Sequence, residues 1–141
     1  NMKNVTTRAI VIEDYEVINE WRKKWNATYT PKLSELPDEG LGGIMLEVDG
    51  VPVAVNYVYT TNSSMGYLGD AVSNPNFRPK DRFEIGQVLI DACVKRASDL
   101  GCTYIWTTSI LESVIERYKK SGFHIAKEKE TLIMKKINNV R

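Results

Sequence analysis

The stretch Tyr67–Leu100, YLGDAVSNPNFRPKDRFEIGQVLIDACVKRASDL, decides how the rest of the chain is read. Tyr67 to Val72 reads as a strand, and the turn formers Ser73-Asn74-Pro75-Asn76 break it. From Phe83 onward the apolar residues are Ile85, Val88, Leu89, Ala92, Cys93, Ala97 and Leu100. That spacing predicts one face of a helix, with Gly101 placed to stop it. Asp81-Arg82-Phe83-Glu84 has the pattern of a capping box, with Asp81 as N-cap and Glu84 at the third helical position. A strand that leads through a polar loop into a helix presents unpaired N–H groups and the positive end of a helix dipole. Such an arrangement favours a phosphorylated ligand.

The flanking segments extend this unit in both directions. Thr103 to Thr108 is predicted to be a strand, so strand, helix and strand imply a parallel pair. Upstream, Ile44 to Val48 and Val51 to Tyr59 flank Asp49-Gly50, a strong hairpin signal. Strict alternation would put Val51, Val53, Val55, Tyr57 and Tyr59 on one face and Ala54, Asn56 and Val58 on the other. Met65 to Val72 then completes an antiparallel meander. Thr6 to Ile12 opens the chain as a β-branched run. A helix follows from Glu13 and Asp14, with Val17, Ile18, Trp21 and Trp25 as its apolar positions and Arg22, Lys23 and Lys24 at its basic end. Asn26 to Gly43 is a long connection with a helical turn expected near Leu33 to Leu36. Ser109-Ile110-Leu111-Glu112 repeats the capping-box pattern before a short helix with Leu111, Val114, Ile115 and Tyr118 on one face. Phe123 to Ala126 and Thr131 to Ile137 are expected to close the chain as a hairpin around Lys127–Glu130. The order is β, α, β-β-β, α, β, α, β-β. It predicts one α+β domain over residues 1–141, with a mixed sheet that switches from antiparallel to parallel at the central helix.

Composition narrows the function classes. Lys and Arg number 19 against 18 Asp and Glu, so no net field draws the protein to nucleic acid or to a membrane. The basic residues form no helical stripe interleaved with aromatics, which argues against a nucleic-acid-binding domain. Two cysteines do not make a disulfide framework, and Cys93, on the apolar helix face, reads as a buried thiol. With His124 the only histidine and no Cys-x-x-Cys, a zinc site is not expected. No long apolar run or signal-type segment occurs, and the expectation is a cytoplasmic protein.

The element order and two local patterns resemble the GNAT superfamily of acetyl-CoA-dependent N-acetyltransferases. Glu116-Arg117-Tyr118-Lys119-Lys120-Ser121-Gly122-Phe123 is similar to the family segment ending in Tyr-x-x-x-Gly-Phe. Val72 to Arg78 resembles the end of the family's fourth strand and the start of its pyrophosphate loop, and Ile85 to Ile90 the first turns of the helix after it. The resemblance runs from about Thr6 to Ile137. It implies a mostly antiparallel sheet splayed between the fourth and fifth strands. The family loop reads Arg/Gln-x-x-Gly-x-Gly/Ala, and Gly86 fits its last position. Glu84 stands at the other glycine and Asp81 at the basic residue, and the loop is about three residues longer than usual. Glu84 adds bulk and negative charge where a glycine would let backbone approach a pyrophosphate. Arg78, Lys80 and Arg82 crowd the same loop and could supply cations by side chain. Leu111 stands where the family often has an asparagine that contacts the cofactor.

The resemblance implies acetyl-CoA as cofactor and a small-molecule or peptide amine as acceptor, with direct attack of the amine on the thioester. The residues it implies for the cofactor are Ala71, Val72, Ser73, Arg78, Arg82, Ile85, Gly86 and Gln87. Tyr118 matches the family's acid; a phenol near pKa ~10 can donate to a thiolate whose acid is near ~8.5. Asp70 and Glu47 are the carboxylates on central strands suited to accept the amine's proton, with Glu84 a third option. His124 reads as a surface or satisfied histidine. Tyr57, Tyr59, Tyr67 and Trp106 are aromatic residues that could line a substrate groove. Exposed hairpin edges could pair in a homodimer. A second reading with the same fold is a binding or regulatory module with weak or no use of acetyl-CoA, which Asp81 and Glu84 favour.

Overall fold

Asp49 and Gly50 take φ of +51° and +80°, the left-handed pair a two-residue type I′ hairpin requires. This turn sets the register Val48↔Val51 and builds the sheet from its centre. The computed structural model describes residues 3–137. Its strands are β1 (Val5–Ala9), β2 (Gly43–Val48), β3 (Val51–Thr60), β4 (Met65–Ser73) and β5 (Tyr104–Trp106), in the spatial order β1-β2-β3-β4-β5. β1 to β4 pair antiparallel and β5 joins β4 in parallel. The helices are α1 (Asp14–Lys24), α2 (Arg82–Asp99) and α3 (Glu112–Lys120), with two 3-10 turns at Leu33–Glu35 and Pro37–Gly40. The fold class is the α+β one expected, a mostly antiparallel sheet flanked by helices. Among the described residues no helix is long and apolar enough to cross a membrane.

Two apolar clusters cover the two faces of the sheet. On one face Ile85, Leu89, Cys93 and Ala97 of α2 pack on Leu46, Val48, Val58 and Leu68, with Tyr118 and Phe123 at the margin. Burial pushes the Cys93 thiol up to about 12, which makes it an inert core residue. On the other face Ile18 and Trp21 of α1 pack on Met45, Val55 and Tyr57. The strict alternation expected in β3 fails at Val53. Leu46 faces Ala54 but Glu47 faces Pro52, so Val53 is the extra residue of a bulge. It turns to the α2 face beside Val58, away from Val55 and Tyr57. Of the apolar positions expected on α1 only Ile18 and Trp21 are buried, while Val17 and Trp25 are exposed.

Three other expectations change in the structure. The opening strand ends at Ala9 because the Asp14 carboxylate accepts the Val11 N–H and turns the chain into α1. Neither capping box forms. Asp81 has φ −94° and ψ 24°, not the extended conformation of an N-cap, and its carboxylate bonds Lys3 Nζ at 2.8 Å. Ser109 accepts only the Leu111 N–H, and Leu111 itself caps α3. The closing hairpin is also absent. Residues 123–137 carry no strand, and Leu132, Ile133 and Met134 are exposed. Lys127–Glu130 holds none of the Gly, Asn, Asp or Pro residues that build a tight turn.

α1 is fixed to the sheet by an ion cluster. Arg8 on β1 donates to both oxygens of Asp14, at 2.8 and 3.0 Å, and to Glu47 on β2 at 2.8 Å. Burial opposes ionisation of Asp14, but Arg8 and the Val11 N–H outweigh it and hold the carboxyl below its usual range. A depressed carboxyl stabilises fully above its unfolded value of about 4, and that gain is lost as pH falls through the lower folded value. Asp14→Asn is therefore expected to cost about 2 kcal/mol at neutral pH. It should also flatten the loss of stability below about pH 4, read by urea denaturation across pH.

Candidate active site

The pairing of β4 with β5 lasts only from Met65↔Tyr104 to Tyr67↔Trp106. One residue further on, Thr107 Oγ1 donates to the Leu68 carbonyl at 2.8 Å, and beyond that point β4 has, among the described residues, no strand on its β5 side. On its other side β4 is bulged. Val72 faces Val55 and Gly69 faces Tyr57, so Asp70 and Ala71 together stand opposite Asn56. Asp70 takes φ +56° there, an uncommon conformation that aspartate tolerates better than most residues. The sheet is thus open on one edge of β4 and kinked on the other at the same level.

Tyr118 reaches this level from α3, on the α2 face of the sheet. Its phenol oxygen accepts from Asn56 Nδ2 at 3.2 Å, and its ring packs edge-on against Phe123 with centroids 4.9 Å apart. Burial pushes the phenol above its usual value, while the hydrogen bond from Asn56 pulls it back. At neutral pH Tyr118 therefore holds its proton in a largely desolvated place beside the opening.

Asp70 serves the opposite face. Its carboxylate accepts the Tyr59 hydroxyl, and Tyr59 packs with the α1 cluster. Burial, reinforced by that carboxylate, pushes the Tyr59 phenol far above its usual range. Tyr59, Tyr67 and Trp106 form an aromatic row across β3, β4 and β5, with successive centroids 5.6 and 4.3 Å apart. Tyr57, also expected in the groove, is instead fully buried in the core. Glu47 is not brought to this place: it lies on β2 and is held by Arg8. Glu84 is exposed in the first turn of α2, and His124 Nε2 lies 3.2 Å from the Tyr104 hydroxyl.

The start of α2 lies on the Tyr118 side. With Asp81 turned to Lys3, the N–H groups of Phe83 and Glu84 make no hydrogen bond among the described residues. Arg82 is exposed and caps the Pro79 carbonyl at 3.4 Å, while Arg78 lies over the Trp25 ring at 5.7 Å. Trp25 in turn donates its indole N–H to the Ser73 carbonyl at 2.8 Å. Ala71 is exposed and Val72 partly so. Ile85 is in the core, and Gln87 ties α2 to α3 through the Arg117 carbonyl at 2.9 Å. Gly86 has a specific reason to be glycine. A β-carbon there would stand 2.8 Å from the Arg117 guanidinium, which also donates to the Phe83 carbonyl at 3.2 Å. Burial lowers the pKa of this guanidinium. A cation beside the N-terminus of a helix is unfavourable until an anion joins it.

No protein-family model matches the chain, and no curated protein matches it. Solved structures do. A transcriptional regulator from Bacillus halodurans C-125 is 14% identical over 93% of this chain and 100% of its own, with a TM-score of 0.66. The aminoglycoside N-acetyltransferase AAC(6')-Iy, in complex with a CoA bisubstrate analog, is 17% identical over 95% of this chain and 99% of its own, with a TM-score of 0.61. Ard1 from Thermoplasma volcanium is 19% identical over 87% and 84%, with a TM-score of 0.67.

The chain has the GNAT fold.

At these identities the likeness is one of fold. Within that GNAT frame, sequence reading misses Asn56, Thr107, Trp25 and Arg117 as site residues. Only Gly86 carries a signal for one of them. A glycine inside a helix costs about 1 kcal/mol relative to alanine, and its presence marks a close approach, here by Arg117. A double-mutant cycle of Gly86→Ala and Arg117→Ala is expected to show a coupling of about 1 kcal/mol. Alanine at position 86 should gain helix stability only once Arg117 is shortened, as read from denaturant midpoints.

Proposed function

We propose that this chain is an N-acetyltransferase that moves an acetyl group from acetyl-CoA to a primary amine by direct attack. One observation carries the reading. A protonated, desolvated phenol, Tyr118, stands at the level where β4 loses its β5 partner. Acetyl-CoA, when bound, supplies a thioester that a neutral amine can attack.

The residues present fit that group at two places. The β4 backbone beyond Leu68, with Ala71 and Val72, has among the described residues no strand on its β5 side and can pair with an extended arm as another strand would. The free N–H groups of Phe83 and Glu84, with Arg78, Arg82 and Arg117, would hold phosphates at the positive end of α2. Tyr118 gives its proton to the departing sulfur as a general acid. A lysine-type amine near pKa ~10.4 must lose a proton before it attacks. Asp70, exposed beside the aromatic row, accepts that proton from the opposite face of the sheet. Two faces and two groups separate the acid from the base, and Glu47 has no part in this scheme.

A second reading, a GNAT-shaped binding or regulatory module, is favoured by Glu84 in the first turn of α2 and by Arg117 lying against Gly86. Thermal-shift titration with acetyl-CoA, alongside ADP and desulfo-CoA, separates the two. A ligand at ~100 times its Kd should add about 2.7 kcal/mol, several degrees for a domain of this size. No shift at millimolar ligand rejects the enzyme reading in favour of the module.

Tyr118→Phe is expected to lower kcat by about 10²-fold and to leave the KM for acetyl-CoA within about twofold. Equal turnover rejects its role as acid. Glu84→Gly should tighten acetyl-CoA, and because it costs up to about 1 kcal/mol of helix stability, affinity is the quantity to measure.

A further inference from the structure

Asn56 is one of three polar or charged residues buried among the described residues, at 2% exposure, and it lies in the middle of β3. Of its two amide atoms, Nδ2 donates to the Tyr118 oxygen at 3.2 Å, whereas Oδ1 has no partner among the described residues. A buried amide with an unpaired acceptor is a poor choice for stability, and leucine would fill nearly the same volume without a polar atom to satisfy. It sits opposite Asp70 and Ala71, at the bulge where β4 is also open toward β5.

Resting on the acetyltransferase reading above, we infer that Asn56 is a positioning residue that holds the Tyr118 oxygen and turns the phenol's proton toward the opening between β4 and β5. A phenol has one hydrogen and two acceptor lone pairs. With the Asn56 N–H filling one lone pair, the hydrogen is directed elsewhere. Thr107 gives its own proton to the Leu68 carbonyl, so toward the phenol its oxygen can only accept, and it stands at the last tie between β4 and β5, where the opening begins. The Asn56 donor also favours the phenolate that remains after proton transfer, which counters the effect of burial. Asn56 touches neither the acyl group nor the amine in this scheme and acts through Tyr118.

The test is Asn56→Leu, with Asn56→Asp beside it. Loss of the donor should lower kcat about tenfold, keep the KM for acetyl-CoA within about twofold, and keep or raise Tm. Because the phenol must be protonated to act, the rate falls as pH rises through its pKa. Asn56→Leu should move that alkaline limb to higher pH. Asn56→Asp, whose carboxylate accepts the phenol's proton, should lower kcat further than leucine does. Independently of activity, the ultraviolet phenolate titration of ligand-free protein, taken as the difference from the matching Tyr118→Phe variant, should move upward in Asn56→Leu. An unmoved titration, or an unchanged kcat in Asn56→Leu, overturns the inference. Absence of acetyl transfer by the wild-type protein would instead count against the acetyltransferase reading, with the titration still reporting on the Asn56–Tyr118 link.

Discussion

The hydrogen bond from Thr107 to the Leu68 carbonyl marks the last tie between β4 and β5, and the candidate site depends on what happens beyond it. A parallel pair that continued would cover the inner edge of β4 and leave no backbone for a ligand. A pair that ended earlier would not bring α3, and with it Tyr118, back to the same level. Three paired residues and one side-chain bond define the opening while keeping it connected to the sheet. The bulge at Asp70 acts at this level from the other side, bending β4 and turning the Asp70 carboxylate to the face opposite the Tyr118 phenol.

That division of faces gives the site its electrical order. The side that holds Tyr118 also holds the positive end of α2, two free backbone donors and the guanidiniums of Arg82 and Arg117. The side that holds Asp70 carries aromatic rings and phenols instead. An anionic group and a cationic one would thus meet different surroundings, separated by one strand, and the Tyr118 phenol and the Asp70 carboxylate are bonded to different partners. Of the acids on the positive side, Asp81 is bound to Lys3, which leaves Glu84 in the first turn of α2 to offset it.

Local chemistry made much of this legible in the sequence. Asp49-Gly50 encodes its own turn, the Phe83–Leu100 spacing encodes α2, and a strand on each side of that helix encodes the parallel pair. What was not legible depends on partners distant in the chain. Asn56 meets Tyr118 across 62 residues and Lys3 meets Asp81 across 78. The capping-box pattern at Asp81 misled because it describes side chains and not the backbone conformation a cap needs. Bulges at Val53 and Asp70 shift the alternation by one residue; no glycine adjoins the first, and Gly69 directly precedes the second. The apolar Thr131–Ile137 segment has strand propensity but no turn to bring it back and, among the described residues, no strand beside it.

The narrow seam between β4 and β5 also bears on the order in which the molecule loosens. β1 to β4 are joined along five or six residue pairs at each boundary, whereas β5 is joined along three. Local opening starts where the fewest bonds must break, so amide hydrogens of β5 exchange with solvent ahead of those in the central strands. A ligand lying in the seam would add bonds at this weakest boundary. Its affinity and the protection of β5 would then rise together, because the same free energy is being measured from two sides.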